Sequence, residues 1–192
     1  MPVTSRIIYR YLADPVAPMY LIGDRYVTFF IDQHEGDVIR SIYWVDKELE
    51  ENTFYRHKAE SPSYRESSEA LNYILINQER ADRGLSILKR NDDLADVARA
   101  HSADMAENDF FSHTNLQGES PGDRAEKAGF INHGIGENLS YNYEDIIHSH
   151  EGLMDSYGHR RNILNPDYKQ VGIGVDFDSN SGPYVTQKFY VY

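Results

Sequence analysis

Cysteine is absent from this chain of 192 residues, which excludes disulfide scaffolds, thiol catalysis and metal sites built on thiolates. Long hydrophobic runs are absent too, because no stretch approaches the roughly 18 apolar residues of a membrane-spanning helix. The N-terminal residues include no apolar segment followed by a small-residue cleavage site, so no signal peptide is expected among them. Any metal must therefore be held by histidine and carboxylate side chains.

Basic residues are scarce relative to acidic ones. The chain has 19 Lys and Arg against 31 Asp and Glu, which gives a formal net charge of −12. Such a field repels phosphate backbones and anionic lipids, so we expect no nucleic-acid partner and no binding to anionic membrane surfaces. Hydrophobic residues make up 40% of the chain, which is enough for a sizeable core.

The residue pattern changes near position 60 and predicts two domains, 1–60 and 61–192. In the first, β-branched and aromatic residues dominate 25–31 and 38–44 and predict a hairpin. Residues 19–22 predict a third strand. So few strands form a marginal unit, and we expect this small β-rich domain either to dock onto the rest or to lack an N-terminal portion.

Helical periodicity replaces the strand pattern after a polar linker at 46–68. Capping-box spacing at Ser63 and Glu66 predicts the start of a first helix, and Asn91 is expected to cap a second. The remaining predicted elements are helices at 120–129 and 144–157 and strands at 135–141, 171–175 and 184–192. Helices that alternate with strands predict an α/β layered domain of about 130 residues.

Three short segments place a potential metal ligand beside a chain-reversing residue. They contain His113, Glu137 and His159, which are 24 and 22 residues apart. Two imidazoles and one carboxylate are the minimum for a divalent site with an open coordination position. Each residue also has a structural interpretation: a loop histidine bonded to backbone, a carboxylate that caps amides, and a histidine in a solvated turn. Only the fold can bring the three together.

Six ordered segments in the second domain match a known family in order and spacing. They are Leu71-Asn72 with Asn77-Gln78-Glu79-Arg80, residues 98–106, Phe111-Ser112-His113, Gly136-Glu137-Asn138, residues 158–164, and Val171-Gly172-Ile173-Gly174. In these segments the chain resembles a bacterial CAP domain, the family named for cysteine-rich secretory proteins, antigen 5 and pathogenesis-related proteins. Residues 1–60 resemble, more weakly, the β-rich domain that precedes CAP domains in some Gram-positive proteins.

The resemblance implies an α–β–α sandwich with an acidic-sided cleft that binds zinc or another divalent cation. His113, Glu137 and His159 match the first histidine, first acid and second histidine of the family's four-residue set. Ser156 stands where the family has its second glutamate, and Asp155 is one residue away, turned by roughly 100° on a helix. A three-ligand site completed by water is the resulting expectation, and its two imidazoles favour zinc over magnesium or calcium.

Further polar residues are expected to support the cleft. They are Ser156, Asp155, Asn138 and Arg124, the last by tying its helix to a neighbouring carboxylate. His101 lies on an apolar stripe and is expected to be a core residue. His148, His150 and Glu151 are interpreted as structural or solvated, because at helical spacing His150 shares a face with Leu153 while the other two lie on another side.

The resemblance also implies an extracellular or cell-envelope protein. The leading hypothesis is a binding module whose cleft is organised by a divalent cation, with a protein or cell-wall ligand as partner. One alternative is a metal-assisted extracellular hydrolase that acts on peptides or cell-wall material. Another is a structural partner-binding domain with an empty cleft. The sequence contains no Gly-x-Ser-x-Gly nucleophile elbow and identifies no substrate.

Overall fold

Two separate patterns of secondary structure follow one another along the chain. The computed structural model describes residues 8–9, 14–52, 61–179 and 182–192. The chain divides into two units, Met1–His57 and Lys58–Tyr192. Part of the polar linker expected at 46–68 lies outside the described residues, and the part that is described contains a short helix and the start of a long one.

The first unit contains an antiparallel sheet of four strands in sequence order. The strands are β1 Ile8–Tyr9, β2 Met19–Ile22, β3 Arg25–Asp32 and β4 Val38–Asp46. A short helix, α1, follows at Lys47–Glu51. The predicted hairpin and third strand are therefore confirmed. The turn between β3 and β4 ends at Gly36, whose φ of 88° favours glycine.

Alternation along β3 gives this sheet one buried face, which includes Tyr26, Thr28 and Phe30. The opposite face carries apolar side chains as well, and β4 leaves Ile42 and Trp44 more than half exposed there. The guanidinium of Arg25 lies 4.1 Å from the centre of the Trp44 ring, which covers part of this indole with a cation–π contact.

The described residues of the second unit form five α-helices and a second four-stranded sheet. The helices are α2 Pro62–Asp82, α3 Asp92–Asn108, α4 Pro121–Lys127, α5 Ile146–Asp155 and α6 Tyr157–Ile163. The strands are β5 Lys89–Arg90, β6 Ile135–Tyr141, β7 Gln170–Phe177 and β8 Pro183–Tyr190. Their order is β5-β7-β8-β6; β5 is parallel to β7 and the other pairs are antiparallel.

Helix starts follow local capping chemistry, with one correction to the sequence prediction. Asn91 accepts a hydrogen bond from the backbone of Leu94 and caps α3, as predicted. Helix α2, however, is capped by Ser61, whose hydroxyl accepts from the backbone of Tyr64. The capping box expected at Ser63 is wrong, because Pro62 already has the backbone angle of a first helical residue and places Ser63 inside the first turn.

The helix expected over 144–157 is two helices. Helix α5 ends at Asp155, and Ser156 has an extended backbone before α6 begins. Tyr157, the first residue of α6, has a side chain that is 69% exposed. Hydrophobic periodicity does not detect a one-residue break when the residues on both sides keep a helical repeat.

The second sheet lies between two helical layers. Val171, Ile173 and Val175 of β7 join Ile76 of α2 and Leu153 of α5 in the main hydrophobic core. Alternate residues of the same strand face α3, and Ser102 of that helix donates a hydrogen bond to the carbonyl of Gly174. The α–β–α sandwich predicted from the sequence is confirmed.

Gly172 and Gly174 let the backbone of α3 approach β7 closely. A Cβ atom at Gly174 would collide with backbone atoms of Ala98 and Arg99, and one at Gly172 with backbone atoms of Leu94 and Ala95. Backbone cannot move aside as a flexible side chain can, so these two positions fix how near the helix lies to the sheet.

Gly174→Ala is therefore expected to lower the free energy of unfolding by about 1–3 kcal/mol, the range of overpacked cores. Urea denaturation measures the change. Gly158→Ala is the control, because open space surrounds Gly158 within α6 and alanine there should stabilise the helix by up to about 1 kcal/mol. Equal effects of the two substitutions would contradict this account.

Candidate functional site

The site is built around a carboxylate buried inside the second unit. Glu137 lies in the middle of β6, and its side chain is 1% exposed. Register pairs it with Lys188 on β8, whose side chain is fully buried. A carboxylate removed from water in this way needs positive partners and hydrogen bonds to remain ionised.

Three side chains supply those partners. The Lys188 ammonium donates to Glu137 Oε2 at 2.7 Å, and Nη2 of Arg124 donates to Oε1 at 3.1 Å and Oε2 at 2.9 Å. His113 donates from Nδ1 to Oε1 at 2.9 Å. The tie from Arg124 to a carboxylate is the one expected from the sequence. Both oxygens of Glu137 are thus fully engaged by donors from β8, α4 and the loop before it.

These contacts decide the protonation state of Glu137. Burial alone raises the pKa of Glu137, but the hydrogen bond from His113 and the charges of Lys188 and Arg124 outweigh it and lower the pKa to about 2. The carboxylate is consequently ionised throughout the physiological range. The two cations beside it more than offset its single negative charge.

Arg124 also fixes the loop that carries His113. Its Nη1 donates to the carbonyl of His113 at 2.9 Å and to that of Glu119 at 2.8 Å. Within the loop, Asn115 accepts from the backbone of Glu119 at 2.8 Å. A serine–aspartate capping box starts α4 just after the loop and positions Arg124 on that helix. One guanidinium therefore connects the loop, α4 and Glu137.

His113 and His159 lie within electrostatic range of each other. His113 is half exposed, and its hydrogen bond to Glu137 occupies Nδ1 and leaves Nε2 directed elsewhere. His159 lies on α6 and is partly buried. Burial, and then the nearby charge of His113, lower the pKa of His159. A lowered pKa favours the neutral form of the His159 ring, which is the form that can bind a metal.

A chain of buried amides holds α6 against β6 and α2. Nδ2 of Asn138 donates to the carbonyl of His159 at 3.1 Å and to the side chain of Gln187 at 3.0 Å. Asn162 donates to Oδ1 of Asn138 at 2.9 Å, and Gln187 donates to Asn72 at 2.8 Å. Asn138, Asn72 and Gln187 are completely buried. The position of His159 is thereby set by hydrogen bonds to the sheet.

Other residues singled out by sequence lie in structural positions. His101 is buried, as expected, with Nε2 bonded to the carbonyl of Ser112. Its burial lowers the pKa to about 4. His150 and Glu151 are buried within the helical layer. Ser156 occupies the break between α5 and α6, and Asp155 ends α5 close to Tyr143, whose pKa is raised by burial and then by this carboxylate.

The described side chains do not form a ready three-ligand metal centre. Across residues 14–52, 61–179 and 182–192, no group of three or more histidine, aspartate or glutamate side chains is arranged to hold a metal ion. The oxygens of Glu137 are already occupied by hydrogen-bond donors, so the chemistry fits a smaller set of ligands, the imidazoles of His113 and His159. The assignment of all three residues as ligands stays a prediction.

Lys188 and Gln187 are central to the site, and sequence reasoning missed both. A signal was available, since Thr186-Gln187-Lys188 interrupts a closing strand otherwise rich in aromatic and β-branched residues. Three polar residues inside a buried strand require buried partners. The identity of those partners depends on register and could not be read from the strand itself.

The cysteine-rich secretory protein family, CAP, matches this chain over residues 73–189, which is well over half of its length. The chain belongs to the CAP family. The family is named for its cysteine-rich members, but this chain contains no cysteine. The matched region contains the site described above, from the loop of His113 to Lys188.

Two curated relatives come from Bacillus subtilis. The uncharacterised membrane protein YlbC is 34% identical over 186 residues, which cover 90% of this chain and 52% of YlbC. The uncharacterised protein YkwD is 35% identical over 115 residues, covering 60% of this chain and 44% of YkwD. This CAP protein thus spans about half the length of the curated relatives it matches.

Solved structures share the fold. An extracellular protein containing an SCP domain from Bacillus anthracis superposes with a TM-score of 0.81 at 23% identity, over 98% of this chain and 67% of that one. A cysteine-rich secretory protein from Staphylococcus aureus superposes with a TM-score of 0.70 at 21% identity, over 97% of this chain and 62% of that one. Both alignments include the N-terminal sheet. No helix in the described part of the CAP protein has the length and apolar character needed to cross a bilayer.

The low pKa of Glu137 predicts a specific dependence of stability on pH. The pKa falls from 4.5 to about 2 on folding, so the contribution is complete above pH 4.5 and is lost as the pH falls toward 2. In metal-free protein, the stability difference between wild type and Glu137→Gln should narrow by up to about 3 kcal/mol over that interval.

Urea denaturation at pH values from 7 to 2 measures this difference. Glu107→Gln is the control because Glu107 is exposed on α3, and its difference from wild type should stay small and constant. A constant difference for Glu137→Gln as well would rule out an ionised, stabilising Glu137.

Proposed function

We propose that this CAP protein is an extracellular or cell-envelope binding module whose cleft holds a divalent cation through His113 and His159. The observation that carries the proposal is the hydrogen bond from Nδ1 of His113 to the buried carboxylate of Glu137. Histidine ligands of metals regularly donate their second ring nitrogen to a carboxylate, which fixes the tautomer and the ring orientation. Because Nδ1 of His113 carries the proton, the lone pair of the ring is on Nε2, where it can bind a cation.

His159 supplies the second imidazole. Its neutral form is favoured by burial and by the proximity of His113. Its helix is fixed by hydrogen bonds from Asn138 and Asn162 to backbone and side-chain groups of α6 and β6. A ligand held on a rigid element loses little entropy when the metal binds.

Glu137 serves this site as the orienting partner of His113. Its two oxygens accept from His113, Arg124 and Lys188, and a direct bond to the cation would have to displace one of these donors. Two imidazoles with water in the remaining positions favour zinc over magnesium and calcium, which prefer oxygen ligands.

The same geometry favours binding over hydrolysis. A hydrolase that used Glu137 as its general base would need the pKa of this carboxyl to lie near the working pH. Glu137, the acid nearest to the histidines, has a pKa of about 2 and is held by two cations. We therefore place the ligand, a protein or cell-wall component, in the cleft as a bound partner. The extracellular SCP-domain protein of Bacillus anthracis supports an extracellular location by its shared fold.

Calorimetric titration of Zn²⁺ into chelator-treated protein tests the proposal. Binding of about one equivalent is expected for the wild type and should be lost in the His113→Ala/His159→Ala double variant, since both imidazole ligands are removed. His133→Ala is the matched control, because His133 is an exposed histidine outside the cleft, and its titration should equal that of the wild type.

Identical titrations for the double variant and the wild type would reject the cation site. The remaining alternative would then be a structural domain with an empty cleft. Zinc-dependent turnover of a peptide or cell-wall substrate, lost in Glu137→Gln, would instead favour the hydrolase alternative.

A further inference from the structure

A second concave surface lies on the outer side of α6. Its volume is about 400 Å³, and it is lined by Tyr157, Arg160, Arg161, Leu164, Asn165 and Pro166. None of these lining residues carries a carboxylate. A surface without carboxylates is unusual in a chain with a net charge of −12. Because its lining includes two arginines, the surface favours a negatively charged ligand.

Arg161 is the accessible cation of this surface. It is exposed, and within the described ranges no hydrogen bond or ion pair holds its guanidinium. Arg160 lines the same surface and is only 6% exposed. An exposed guanidinium such as that of Arg161 recognises a carboxylate by two parallel hydrogen bonds.

A third guanidinium lies beneath the surface. Arg80 is completely buried, and its Nη1 donates to the carbonyls of Ile163 and Asn165 at 2.8 Å each. Its Nη2 has no hydrogen-bond partner among the described residues. Burial lowers the pKa of Arg80. Only backbone carbonyls neutralise this charge among the contacts of the described side chains, so it adds to the positive potential at Asn165.

The rest of the lining is apolar or aromatic. Tyr157 is 69% exposed and is four residues from Arg161, so the two side chains share one face of α6. Leu164 and Pro166 continue this face beyond the helix. The cavity is of a size that holds a small ligand. A monoanion with an apolar body fits it better than a dianion, because the acidic protein repels higher negative charge.

We propose that this surface binds the C-terminal end of a peptide, with Arg161 paired to the terminal carboxylate and the last apolar side chain against Tyr157 and Leu164. His159 lies two residues from Tyr157, on the other side of α6. The proposal therefore goes beyond the cation site and does not depend on it. It can be tested in chelator-treated protein.

The probes are N-acetyl-leucyl-leucine and its C-terminal amide, titrated into the full chain at low salt and followed by NMR chemical shifts. The acid should bind at least tenfold more tightly than the amide, because only the acid forms the ion pair with Arg161. Arg161→Gln should abolish that preference. Arg90→Gln is the matched control: it removes an exposed arginine on β5 and makes the same charge change, and the tenfold preference should remain.

A second variant separates the two parts of the proposed contact. Tyr157→Ala should weaken both probes while leaving the preference for the acid. Equal binding of acid and amide to the wild type, or equal effects of Arg161→Gln and Arg90→Gln, would overturn the proposal. Displacement of the acid by an equal concentration of inorganic phosphate would also overturn it, because the site would then bind oxyanions without recognising a peptide end.

Discussion

The buried charge of Glu137 is the constraint on which the second unit is organised. An isolated carboxylate in a protein interior costs several kcal/mol, and removing one partner of a buried ion pair leaves that cost uncompensated. Lys188 and Arg124 supply the compensation from β8 and α4. The packing of this helix on the sheet and the charge balance of the site are therefore a single arrangement. A shift of either element would leave a buried charge without its partner.

The positions of the two candidate histidines follow from this arrangement. Arg124 reaches past Glu137 to the backbone of His113, and Glu137 fixes the ring of that histidine. On the opposite face of β6, neutral amides centred on Asn138 hold the helix of His159. Ionic contacts thus position one histidine and amide contacts the other. Both networks are attached to adjacent residues of one strand, Glu137 and Asn138.

Much of the local structure could be predicted from sequence. Asn91 and the serine–aspartate pair that starts α4 satisfy backbone amides within one helical turn, so their effect is readable from spacing alone. The break at Ser156 and the cap at Ser61 were missed. In both cases the decisive feature was the extended backbone of a single serine. Hydrophobic periodicity is measured over many residues and does not detect one such residue.

The sequence by itself determined most of the element types and the residue types available for a site, because these depend on neighbours within a few positions. The sandwich was implied by the resemblance of six ordered segments to the CAP family. The sequence also singled out His113, Glu137 and His159 as candidates. Tertiary structure alone decided that Glu137 faces Lys188, since strand register sets that pairing across 51 residues. A shift of one residue in strand register changes every pair of facing side chains, and the sequence of a single strand does not show which register is formed.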